Sequence, residues 1–82
     1  MEFALMTAPT LDMARPGDVI GLNLHFTPAR RIEDVRSWHP ITDAEPLPGD
    51  RFRVTVAGGA GGEFPMTMRS TVPVVLKRHA YA

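Results

Sequence analysis

Apolar and polar residues alternate without a break through Val19 to Phe26: Ile20, Leu22, Leu24 and Phe26 fall on one side, Gly21, Asn23 and His25 on the other. Side chains of a strand point to opposite faces in turn, so this pattern predicts a strand with one face on a core. A Pro16-Gly17-Asp18 turn precedes it, proline fixing φ and glycine accepting a positive φ without steric cost. The same device returns at Pro48-Gly49-Asp50, after which Phe52, Val54 and Val56 point one way and Arg51, Arg53 and Thr55 the other. Ile20, Leu22 and Leu24 are therefore expected to share a core with Phe52, Val54 and Val56.

The remaining chain fills in around these two strands. Residues Glu2 to Thr7 are apolar enough for a short strand ended by Ala8-Pro9, and Thr10 to Arg15 reads as a connector. Beyond Thr27 two readings stay open. Thr27 can cap a short helix over 28–37 with Pro28 at its first position and Ile32, Val35 and Trp38 down one side, or the segment is an irregular strand. Pro40 to Pro48 reads as an extended surface connection. Gly58-Gly59-Ala60-Gly61-Gly62 suits a hairpin loop; a phosphate cradle would need the Lys-Ser/Thr and the following helix that are absent here. Phe64, Met66 and Met68 alternate along a strand that Pro65 marks as an edge or a strand start. A last strand runs from Val72 to about Ala80 with Val72, Val74 and Leu76 inward. Its other face carries Pro73, Val75 and Tyr81, an apolar strip that a lone small domain would leave wet. The sum is mainly β: a small antiparallel sandwich or partly open barrel of about five strands with at most one short helix.

Composition narrows the setting. The 82 residues make a single domain, 1–82, with 1–9 as an N-terminal arm or edge strand, and a core this small gains from outside help. No cysteine is present, so neither a disulfide nor a thiolate metal site supplies it, and oligomerisation or docking into a larger body remains. Nine Lys plus Arg balance nine Asp plus Glu, so no net field draws the chain to nucleic acid or to an anionic membrane. Eight of the nine basic residues are arginine, the side chain favoured at interfaces, although a GC-rich genome produces the same bias. The N-terminus lacks a basic, then long apolar, signal-peptide pattern, and no run approaches the ~20 apolar residues of a transmembrane helix. A soluble protein, cytoplasmic or within an assembled particle, is expected.

Candidate chemistry changes this picture little. His25, His39 and His79 lie at least 14 residues apart, without the His-x-His of a strand metal site, and Met66-x-Met68 is more simply a core filler than a copper(I) pair. Ser37, Ser70, His39 and Asp43 carry no local catalytic signature, and the adjacent Glu33 and Asp34 do not share a face. No catalytic residue, cofactor or metal is assigned. Arg51 and Arg53 on one strand face, with Trp38 to stack on a base, are the possible nucleic-acid contacts; neighbouring carboxylates argue for ion pairs instead.

The sequence thus points to a structural or accessory subunit of a larger assembly, such as a decoration or connector component of a particle, acting through other protein subunits. Phe3, Leu5 and Met6 of the arm, with Val75 and Tyr81, are the expected interface. A free-standing module for single-stranded nucleic acid or a small ligand is the alternative, and an enzyme fragment needing a partner the third reading.

Overall fold

The two alternating stretches do form strands, and they are neighbours of one long strand that sequence alone did not reveal. The computed structural model describes residues 2–58 and 61–79. Within them lie β1 (Phe3–Leu5), β2 (Val19–Leu22), β3 (Ser37–Leu47), β4 (Arg51–Ala57), β5 (Glu63–Arg69) and β6 (Leu76–His79). All neighbours run antiparallel in one sheet of order β1-β6-β2-β3-β4-β5, which leaves β1 and β5 as its edges. The small, antiparallel, unclosed β architecture expected from the pattern is what forms, with six strands rather than five. Among the described residues the helical content is two single turns of 3-10 helix, Leu11–Met13 and Ile32–Asp34.

One core serves the sheet. Ile20, Leu22, Val54, Val56 and Leu76 are fully buried, joined by Phe52, Ile41, Val74 and Leu11, with Met66 and Met68 packed at the margin. Val54 thus faces inward as its alternation requires. Leu24 and Phe26 do not join the core: Leu24 is 76% exposed, and strand β2 stops at Leu22. Asn23 explains the stop. Its side-chain oxygen accepts the backbone N–H groups of His25 and Thr27 and the Thr27 hydroxyl, giving the chain a local turn that competes with further strand pairing.

Three connecting segments depart from expectation. Residues 28–37 form no helix beyond the turn at Ile32–Asp34; the Leu22 carbonyl accepts the Arg36 N–H, and β3 begins at Ser37. The proline-rich connection at 40–48 is mostly β3. Prolines are tolerated because β3 is shared: its first half pairs with β2 and its second half with β4, so Pro46 has a partner strand on one side only. A bulge between Ile41 and Asp43 shifts the register so that Ile41 meets Val56 and Ala44 meets Val54, both facing the core three positions apart. That spacing disguised the strand. Thr10 to Arg15 is likewise more than a connector. Its backbone bonds to 70–74 through Leu11 N–H to Val72 O and Asp12 N–H to Ser70 O, and it places Leu11 and Ala14 in the core.

The last strand is shorter than the alternation suggested. Ladder pairing begins at Leu76, Val72 to Val75 leading in through an isolated bridge between Thr10 and Pro73, and Ala80 lies outside the described residues. The glycine loop closes as a hairpin between β4 and β5, where Ala57 faces Glu63 and the Gly58 N–H reaches the Gly62 carbonyl at 2.8 Å. Gly59 and Ala60 fall outside the described residues. Gly58 is not freely replaceable as a loop glycine would be, because a Cβ there would land on the Phe64 ring.

Candidate functional site

Register decides which side chains meet on the face turned away from the core. Leu5 lies opposite Lys77, Lys77 opposite Val19, and Val19 opposite Pro40, so one row crosses β1, β6, β2 and β3. The flanking rows put Phe3 opposite His79 and Gly21 opposite Trp38. The result is an outer surface of apolar and aromatic groups with two basic ones. Phe3 is 38% and Leu5 54% exposed. The Phe3 and His79 rings lie 4.2 Å apart, and Lys77 Nζ sits 4.0 Å above the Trp38 ring as a cation–π contact.

Gly21 lets this surface form. A Cβ at that position would come within 2.6 Å of Val35 Cγ2 and 3.3 Å of Trp38 Cζ3, so both side chains pack directly over the strand backbone. Gly21→Ala is expected to cost about 1–3 kcal/mol through overpacking. The checks are a lower urea midpoint and a changed tryptophan fluorescence; an unchanged midpoint would mean that Val35 and Trp38 yield freely.

The expected interface residues fare unequally. Phe3 and Leu5 remain exposed. Met6 does not: its N–H bonds to the Leu76 carbonyl at 3.0 Å and its side chain is half-buried against the core. Val75, expected on a wet strip, is only 7% exposed. Its carbonyl accepts the Gly21 N–H, and that end of the face is covered by the protein's own 28–36 segment, where Ala29 is buried and Val35 closes over Gly21. Tyr81 lies outside the described residues. The arm therefore pairs within its own domain through β6, while its other edge has no strand partner among the described residues.

The suggested nucleic-acid trio does not act as a unit. The Trp38 ring is occupied by Lys77, and Arg53 is ion-paired to Glu45 across the β3–β4 ladder. Arg51 alone of the three is exposed and without an ion pair among the described residues. Two further pairs are Arg31–Asp34 at 3.4 Å and Arg78–Asp18 at 2.8 Å. The carboxylates expected to answer the arginines thus reach fewer than half of them.

The histidines serve different places. His25 sits in the exposed turn after β2, and His79 packs against Phe3 with the two rings tilted at 50°. His39 is half-buried, with Nδ1 3.2 Å from the Ala57 carbonyl and Nε2 2.9 Å from Ser37 Oγ. A carbonyl only accepts, so a neutral ring carries its proton on Nδ1 and accepts a hydrogen bond from the Ser37 hydroxyl at Nε2. This joins two of the residues weighed for catalysis, yet neither lines any of three clefts found among the described residues. Phe26, which has a positive φ of 59°, closes over this pair, its ring 5.0 Å from His39 and 5.2 Å from Phe64 in edge-on geometry.

The sequence named Phe3, Leu5 and Trp38 separately. His79 was weighed only as a metal ligand, and Val19, Pro40 and Lys77 were not singled out; all four join them only through the order of β1, β6, β2 and β3. Among the described residues, no helix is long and apolar enough to cross a membrane. Comparison with protein-family models, with curated proteins and with solved structures gives no match, so the geometry alone carries the functional reading.

Proposed function

We propose that this protein is a structural or accessory subunit that works by protein–protein contact, with the open edge of β1 and the adjoining Phe3–Leu5 surface as its contact site. The observation that carries this is an asymmetry between the two sheet edges. An unpaired strand edge offers N–H and C=O groups to any passing strand unless charge, proline or a cover blunts it. Strand β5 is blunted: Pro65 removes a donor, and Glu63 and Arg69 place charge at its ends. Strand β1 carries none of these devices within Phe3–Leu5, and all three of its residues are exposed.

A second copy of the chain is the partner that satisfies such an edge. Two β1 strands pairing antiparallel about Ala4 place Phe3 of each copy opposite Leu5 of the other, and the contact closes on itself. With the other edge guarded, a closed two-fold pair is favoured over an open fibre. Such pairs can in turn be components of a larger body. The test is the double substitution Phe3→Glu and Leu5→Glu, followed by sedimentation velocity. Both side chains lie outside the core, so the circular dichroism should be unchanged while the sedimenting mass falls to that of one chain. A variant that associates as the parent does would remove β1 from the contact.

A further inference from the structure

Two clefts adjoin away from the β1 contact, with no residue of β1 in their lining. One, of about 660 Å³, lies between the β3–β4 turn, the end of β5 and the Thr71–Pro73 segment; the other, of about 510 Å³, lies under the loop that follows β2. Both are lined by Arg30 and Met68, so they form one bent groove. Five of the eight arginines line it, Arg30, Arg31, Arg36, Arg51 and Arg69, against the carboxylates of Asp34 and Asp50. Asp34 is engaged by Arg31. The other four guanidinium groups have no carboxylate within ion-pairing distance among the described residues. In a chain whose net charge is zero, this is a local excess of positive charge that repels itself and attracts an anionic partner.

We propose that this groove binds an acidic peptide segment of a partner protein. Guanidinium forks match carboxylates bidentately, and their spread along two joined clefts suits an extended chain carrying several of them. Single-stranded nucleic acid is the competing polyanion, and the lining disfavours it. Such sites stack bases on aromatic rings. Neither cleft is lined by Phe, Tyr or Trp, and His25 brings the one aromatic ring of the lining; the apolar lining is Met68, Leu24, Val72, Pro28 and Pro73, which fits aliphatic side chains between the acidic ones. The site does not depend on the β1 contact, since none of its lining residues belongs to β1, β6 or β2.

The experiment is fluorescence anisotropy on the intact chain at low ionic strength, with a labelled eight-residue peptide of alternating Glu and Leu and, separately, a labelled eight-nucleotide oligothymidylate. The peptide should bind, and Arg30→Ala and Arg51→Ala should each weaken it at least fivefold. Arg15→Ala, which removes the same charge from an exposed site outside the groove, should change it less than twofold. Both groove arginines are exposed, so each variant should keep the parent's circular dichroism, and each tests the groove without the other. Tighter binding of the oligothymidylate with the same arginine dependence would give the groove to nucleic acid. Equal losses from Arg15→Ala, or no peptide binding at all, would overturn the site altogether.

Discussion

Replacing Arg78 by methionine should cost about 3–5 kcal/mol, a large part of the 5–15 kcal/mol that holds a domain of this kind together. The reason is what is left behind. Asp18 is 3% exposed, and its two oxygens accept Arg78 Nε at 2.9 Å and Nη2 at 2.8 Å, with the Arg15 N–H at 3.0 Å. Without the guanidinium a buried carboxylate keeps one backbone donor. Asp18→Asn should be milder, at about 1–3 kcal/mol, because the Arg78 side chain is 26% exposed, can turn to water, and still donates to the Met13 carbonyl. Hydrogen bonding to Asp18, and secondarily its charge, raises the Arg78 pKa above its ordinary value against the opposing effect of burial. A raised pKa on a basic group stabilises fully below the unfolded value and is lost only as pH rises through the folded one. Arg78's share is therefore constant across the neutral range and disappears only in strong alkali. Urea unfolding of the two variants checks the ranking; a methionine variant within 0.5 kcal/mol of the parent would show that the pair is dispensable.

Leu76→Ala should cost about 2–5 kcal/mol. Strand β6 has four residues, yet it joins the arm to the rest of the sheet, pairing with β1 along Lys77 to His79 and with β2 at Leu76 and Lys77. Leu76 is its one fully buried side chain. A cavity there removes core packing and loosens the strand that positions β1, so both stability and association through Phe3 and Leu5 should fall. Denaturant melts and sedimentation on one variant read the two effects together. A loss of stability with full association retained would mean that β1 reaches its partner without support from β6.

Legibility in the sequence followed the physical range of each signal. Alternation is local, so Ile20, Leu22, Phe52, Val54 and Val56 were placed correctly, as were the β4–β5 hairpin and the edge status that Pro65 gives β5. Beyond Leu22 the apolar alternation continues, but Asn23 redirects the backbone and Leu24 ends in water. The two Pro-Gly-Asp turns read alike and are used differently. Gly17 and Gly49 both take positive φ, yet Asp18 is buried on Arg78 whereas Asp50 has φ 57° and is exposed. Only the distant Arg78 distinguishes them. The exposure of the proposed contact residues was half legible for the same reason: exposed Phe3 and Leu5 follow from a short apolar arm, while the burial of Val75 depends on the 28–36 segment folding back over Gly21. Nor could sequence proximity of Asp50 to Arg51 tell that the two would line one cleft without pairing.

The central claim is that β1 is an unguarded edge completed by a second copy of the same chain. Light scattering coupled to size exclusion, run on the unmodified protein over a range of micromolar concentrations, tests it most directly. The expected result is a single species at twice the 9.0 kDa chain mass, giving way to the single chain on dilution. A species that stays at 9.0 kDa at every concentration would contradict it.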